Sequence, residues 1–98
     1  MKNQAKTENI LAKAVALHQK GDRDGAQKIY EKVIKEEPGS FDANHLLGVV
    51  FLQKEIFAKA LTYIDYAINI DGKQARAWSN KSLALKGLDR LDDADRKS

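Results

Sequence analysis

Apolar residues recur along the chain with the period of an α-helix. In the first segment, Ile10, Ala14 and Leu17 follow one another at spacings of four and three residues, which places them on one helix face. The same face returns twice at a constant offset of 34 residues. The equivalent positions are Ile10, Asn44 and Trp78; Ala14, Gly48 and Ser82; and Leu17, Phe51 and Leu85. A constant offset over three copies indicates an internal repeat.

A second helical pattern follows the first one within each unit. Ala26, Tyr30 and Val33 share one helix face, and the same pattern returns 34 residues later. Glycine, proline and aspartate, which favour turns, separate the patterns. The sequence therefore predicts helices at residues 7–20, 23–36, 41–54, 57–71 and 75–88, and a sixth helix that begins near Leu91.

The predicted helices pair into hairpins that we expect to stack as a single domain of residues 1–98. The first repeat covers residues 7–40, the second covers 41–74, and a truncated third covers 75–98. One hairpin cannot bury its apolar face alone, so neighbouring units must cover it. The predicted fold class is therefore all-α, a solenoid of helix hairpins about two and a half repeats long.

The 34-residue unit resembles the tetratricopeptide repeat, a helix pair with small and aromatic residues at fixed positions. The resemblance is carried by Ala14, Leu17, Gly21, Ala26, Tyr30 and Pro38 in the first unit, by Gly48, Phe51, Ala60 and Ala67 in the second, and by Trp78 and Ser82 in the third. The sequence departs from the family pattern where Lys13 and Lys81 replace a leucine and Gly72 replaces a proline. The resemblance implies a right-handed α-α superhelix that binds other proteins or peptides.

Three shorter stretches carry a closer resemblance within that family. Residues 18–21, 45–49 and 77–80 are similar to amino-terminal repeats of certain bacterial multidomain proteins. Those proteins resemble O-linked N-acetylglucosamine transferase or carry sulfotransferase domains. This resemblance implies a bacterial source, and it leaves open that the chain is the substrate-recognition arm of a larger glycosyl- or sulfotransferase.

The first helices of this family line a concave groove, and the helical period assigns residues to it. At 100° per residue, the groove face lies beside the face that pairs with the second helix. It has an apolar centre and a polar rim, as in helix-in-groove sites. The predicted groove residues are Leu11, Val15, His45, Leu46, Val49, Gln53, Arg76, Asn80 and Leu83. We expect an amphipathic or extended apolar peptide there, unless these side chains instead pack on neighbouring first helices.

The family resemblance also bears on the kind of peptide. Some members hold the carboxylate terminus of heat-shock chaperones with lysine and asparagine side chains. This sequence has Leu11, Val15 and Leu46 at those positions, and only Arg76 is compatible, so we do not expect that ligand. Asn80 matches the groove asparagine that transferase-type repeats use to hold a peptide backbone, and an amide can donate and accept at once.

Composition narrows the chemistry further. The chain has no cysteine, and His18 and His45 lie on different predicted helices, so we expect neither a metal site nor a cofactor. Lysine and arginine number 17 against 14 acidic residues and are interspersed with them, which does not favour nucleic-acid binding. The longest apolar run, residues 46–52, is far shorter than the roughly 20 residues of a membrane span. With no signal sequence, a cytoplasmic location is expected.

These observations together predict a non-catalytic protein- or peptide-binding scaffold rather than an enzyme. No nucleophile lies beside a general base in any motif of the sequence. The alternatives are a repeat module that assembles with copies of itself into a homo-oligomer, and the transferase arm described above.

Overall fold

The computed structural model describes the backbone of residues 2–97 and the side chains of residues 6–91. The helices are α1 (Lys2–Gln19), α2 (Arg23–Glu36), α3 (Phe41–Gln53), α4 (Phe57–Ile70) and α5 (Ala75–Lys97). Residues 2–97 contain no strand, and the predicted all-α repeat fold is confirmed. None of the described helices is long and apolar enough to cross a membrane.

Side-chain caps and residues with a positive φ form the turns between the helices. Asp22 Oδ1 accepts a hydrogen bond from the Gly25 N–H at 2.9 Å, which caps α2. The chain reverses between α1 and α2 through Gly21, whose φ is 92°, and between α3 and α4 through Glu55, whose φ is 61°. Gly21 and Glu55 occupy equivalent positions of the first two repeats, so one backbone geometry closes both hairpins.

Helix α3 lies at the centre of the stack and contacts α2, α4 and α5. It approaches α4 most closely at Gly48, where an added Cβ would lie 2.6 Å from Ile64 Cγ1 and 3.3 Å from the Ala60 carbonyl oxygen. Only a residue without a side chain allows this approach. The core around this contact consists of Ala14, Ala26, Tyr30, Leu47, Val50, Phe51, Ala60, Ile64 and Ala84.

The third unit differs from the prediction, because α5 runs without a break from Ala75 to Lys97. The predicted helix end at residue 88 and the sixth helix near Leu91 are therefore wrong. Asp89, the equivalent of Gly21 and Glu55, stays within the helix. Residues 91–97 contain only two apolar residues, Leu91 and Ala94, which is too little apolar surface to reward folding back onto α5.

The continuous α5 also leaves exposed a face that the sequence predicted to be paired. Trp78 is 48% exposed and Leu85 is 46% exposed, and Ser82 between them is exposed as well. Helix α5 instead buries Ala77 and Ala84 completely. The pairing face exists in the sequence, but within residues 2–97 no second helix of the third unit lies on it. At the other end, α1 begins at Lys2 rather than at Thr7.

Candidate peptide-binding groove

The predicted groove residues all lie on α1, α3 and α5, the first helices of the three units. Three hollows of about 340, 460 and 320 Å³ follow one another along this side of the molecule. Asp42 borders the first and second hollows, and Leu46 borders the second and third. We call these three neighbouring hollows, taken together, the groove. Its lining from α1, α3 and α5 is Thr7, Glu8, Leu11, Val15, His18, Gln19, Phe41, Asp42, His45, Leu46, Gln53 and Arg76.

The apolar floor of the groove serves the core as well. Leu11, Val15 and Leu46 are half-buried, and each borders a hollow. Leu11 and Leu46 also pack against the buried core. One side of each of these two side chains packs on the core, and the other side borders a hollow of the groove.

Of the other predicted groove residues, some line the hollows and some do not. Val49 is half-buried, and Leu83 is 49% exposed, but neither belongs to the lining of the three hollows. Gln53 and Arg76 are exposed at the rim and do line hollows. Asn80 is half-buried and contacts His45 instead of opening freely onto the groove.

His45 is the most deeply buried of the predicted groove residues, with 8% of its surface exposed. Asn80 Nδ2 lies 2.9 Å from His45 Nε2, and the ring of Phe41 lies 5.4 Å away between centroids. Burial lowers the pKa of His45 below its usual value of 6.5. The carboxylate of Asp42 opposes this shift, whereas the charge of Arg76 adds to it. The ring is therefore neutral at pH 7.

This depressed pKa makes the stability of the fold depend on pH. An unfolded chain binds a proton at His45 near pH 6.5, and the folded chain binds it only at lower pH. The stabilising contribution is therefore complete above about pH 6.5 and is lost as the pH falls below that value. We expect the wild-type melting temperature to fall more steeply between about pH 7.5 and 5.5 than that of His45→Leu. Parallel slopes in thermal circular dichroism would contradict this.

A second polar cluster, which the sequence analysis missed, joins three helices at one end of the groove. Gln53 Oε1 accepts a hydrogen bond from Arg23 Nε at 3.2 Å and lies 2.6 Å from His18 Nε2. The other ring nitrogen of His18 lies 3.5 Å from the Tyr30 hydroxyl. Burial raises the pKa of Tyr30 to about 12, so this hydroxyl keeps its proton.

Both histidines bond to the next repeat with the same register. His18 pairs with Gln53 and His45 pairs with Asn80, and each pair is separated by 35 residues. That is one repeat plus one residue, so each contact joins a position of one first helix to the following position in the next first helix. The signal for both pairs in the sequence is an amide side chain 35 residues after each histidine.

The described side chains do not form a cluster that could bind a metal ion. Within residues 6–91, no group of three or more histidine, cysteine, aspartate or glutamate side chains is placed to hold one. The three hollows present hydrogen-bond donors and acceptors beside aliphatic and aromatic side chains.

The repeat pattern and the stacked hairpins match a known family. The family model described as tetratricopeptide repeat matches residues 17–84. The chain belongs to the tetratricopeptide repeat family. The predicted family is thus confirmed, and tetratricopeptide repeats generally serve as scaffolds for interactions between proteins.

Solved structures share the fold of this tetratricopeptide repeat chain. A mutant of the O-GlcNAc transferase from Thermobaculum terrenum is 22% identical with a TM-score of 0.83, over 87% of this chain and 16% of the transferase chain. A double mutant described as MamA RS-1 ArsTM is 27% identical with a TM-score of 0.80, over 92% of this chain and 51% of that one. The chain thus spans about a sixth and about half of these two proteins. Among curated proteins no sequence matches significantly.

Proposed function

We propose that this chain is a non-catalytic scaffold that binds a peptide segment of another protein in the groove. The observation that carries the proposal is that three hollows lie next to one another, with Asp42 bordering the first two and Leu46 the last two. Half-buried aliphatic side chains form the floor and charged residues form the rim. Such an arrangement supplies apolar contact area at the centre and orientation at the edges.

The size of the hollows favours an extended peptide over a bulky ligand. Volumes of about 320 to 460 Å³ lie at the low end of the range for small-molecule sites. Several neighbouring hollows of this size suit successive short stretches of one peptide better than one bulky ligand. An extended chain advances about 3.3 Å per residue, so alternate side chains can enter neighbouring hollows.

The test is selection of peptides from a displayed library, followed by calorimetric titration against the wild type and Val49→Glu. Val49 lines no hollow itself, but it is half-buried on α3 between Leu46 and Gln53, which line the third hollow, and it is not among the residues that pack on the core. A glutamate there is expected to spare the fold and to weaken binding about tenfold or more, because a charge would border the apolar floor.

Asn69→Glu, on the exposed side of α4, is the matched control because it adds the same charge away from the groove. Equal affinities for the two variants would overturn the assignment of the groove. Melting of Val49→Glu at ambient temperature would show that Val49 belongs to the core instead.

Self-assembly is a second candidate because of the exposed face of α5. Trp78 and Leu85 lie on this face, and large exposed apolar side chains grouped together mark interaction surfaces. Light scattering coupled to size-exclusion chromatography over a hundredfold concentration range separates the two functions. A constant mass near 11.0 kDa favours binding of a different partner, and a mass that rises with concentration favours a homo-oligomer.

A further inference from the structure

The hydrogen bond between Asn80 and His45 determines which ring nitrogen of His45 carries the proton. Asn80 Nδ2 faces His45 Nε2 at 2.9 Å. An amide nitrogen only donates hydrogen bonds, so Nε2 must accept this one. A neutral imidazole has one donor and one acceptor nitrogen, and the proton therefore lies on Nδ1.

Among the residues that the structure describes, none accepts a hydrogen bond from the Nδ1–H of His45. The bond from Asn80 is the one hydrogen bond that the described residues provide to this ring. No buried side-chain nitrogen or oxygen in the described part of the chain lacks a partner, so Nδ1 must reach solvent. His45 borders the hollow between α3 and α5, and we infer that this donor faces it. A donor on a ring that is 8% exposed is fixed in direction before any ligand arrives.

The hollow around this donor is electrically balanced. Arg76 supplies a cation and further donors, while Asp42 supplies an anion and acceptors, and both side chains are exposed. A ligand carboxylate would be attracted by Arg76 but repelled by Asp42, and a ligand ammonium would meet the reverse, so the two side chains offset each other for either ion. A peptide unit carries one acceptor and one donor without net charge, so it matches the hollow best.

The neighbouring side chains add an apolar wall beside the donor. Phe41 and Leu46 border the same hollow, and Leu46 continues into the next one. A residue with an aliphatic side chain can place that side chain against Leu46 while its main chain lies over His45.

We propose that the hollow between α3 and α5 binds one main-chain peptide unit, whose carbonyl oxygen accepts a hydrogen bond from His45 Nδ1–H. Asn80 is a positioning residue, because it fixes the tautomer of His45 without touching the ligand. This proposal rests on the proposed function of the groove. It adds that His45 contacts the ligand and that the group contacted is a main-chain carbonyl. The asparagine expected to hold a peptide backbone is thus replaced in that role by the histidine it supports.

The first test measures the tautomer in the free protein by ¹⁵N NMR of the imidazole. The wild type is expected to show a protonated Nδ1 and an unprotonated Nε2 at His45. In Asn80→Asp, which is nearly isosteric, the carboxylate accepts rather than donates and is expected to move the proton to Nε2. A wild-type ring protonated at Nε2 would overturn the proposal without any ligand.

The second test uses two small probes, N-acetyl-leucine N-methylamide and N-acetyl-leucine with its free carboxylate. Added at millimolar concentration, the amide is expected to shift the His45 Nδ1 resonance and to bind more tightly than the carboxylate. His45→Phe, which keeps an aromatic ring, and Asn80→Asp are each expected to weaken amide binding about fivefold. Circular dichroism of both variants checks that they fold.

The outcomes separate this inference from the proposed function. Tighter binding of the carboxylate would overturn the peptide-unit assignment in favour of an acidic ligand. Library peptides that lose affinity in Val49→Glu but not in His45→Phe would overturn the role of His45 and leave the groove standing. A library without any binder would remove the proposed function, while the tautomer and the amide probe would still decide the chemistry of the hollow.

Discussion

Replacement of Ala60 by arginine is expected to unfold the central hairpin. Ala60 is completely buried, and its carbonyl oxygen lies 3.3 Å from where a Cβ on Gly48 would be. There is no space for a long side chain between α3 and α4, and its charge would have no partner there. A buried, unpaired charge costs about 3–5 kcal/mol, against a total stability of about 5–15 kcal/mol for a typical domain.

Urea unfolding followed by circular dichroism measures this effect. Ala58→Arg is the matched control, because Ala58 lies on the same helix and is exposed. The control is expected to unfold near the wild-type midpoint, while Ala60→Arg should be largely unfolded before urea is added. Coincident curves for the two variants would mean that α4 does not pack through Ala60.

Replacement of Tyr30 by alanine is expected to cost about 3–5 kcal/mol, the usual range for removal of a buried aromatic ring. Tyr30 is completely buried, and it joins α2 to α1 through its contact with His18. Helices α1 and α2 form the outer hairpin, so the loss should detach the first repeat before the second one unfolds.

Tyr30→Phe removes only the hydroxyl, so it distinguishes the contribution of the hydroxyl to stability from that of the ring. The hydroxyl lies 3.5 Å from His18 Nδ1, which is long for a hydrogen bond, so its removal should cost about 1 kcal/mol or less. Hydrogen exchange of α1 and α2 amides, compared with those of α4, measures both variants. If Tyr30→Ala exchanged no faster in α1 and α2 than Tyr30→Phe, the ring would not be what holds the first repeat.

The repeat and its helices could be predicted because the evidence for them is local. Spacings of three and four residues define a helix face, and Gly21 and Pro38 mark ends of helices without reference to any distant residue. The groove face followed from the same period, and His45 and Leu46 do line the hollows. Val49 and Leu83 were assigned by angle alone, which does not measure how far a side chain stands from its neighbours.

The failures in the third unit have one physical cause. Trp78, Ser82 and Leu85 carry the pattern of a paired face, but pairing requires a second helix with enough apolar area to fold back. Residues 92–97 do not provide it, and the helix continues through them. The repeat pattern predicts which helix face can be buried. Whether that face is buried depends on whether the following residues fold back as a second helix or extend the first one.

The sequence by itself determined the family, the 34-residue unit and the paired helix faces of the first two units, since all of these depend on residue spacing along one chain. Only the tertiary structure decided the hydrogen bonds of the groove, His18 with Gln53 and His45 with Asn80. These bonds join side chains that are 35 residues apart on consecutive first helices, and they form only when those helices pack together. A hydrogen bond requires atoms within about 3 Å, and that precision comes from the packed helices rather than from the order of residues.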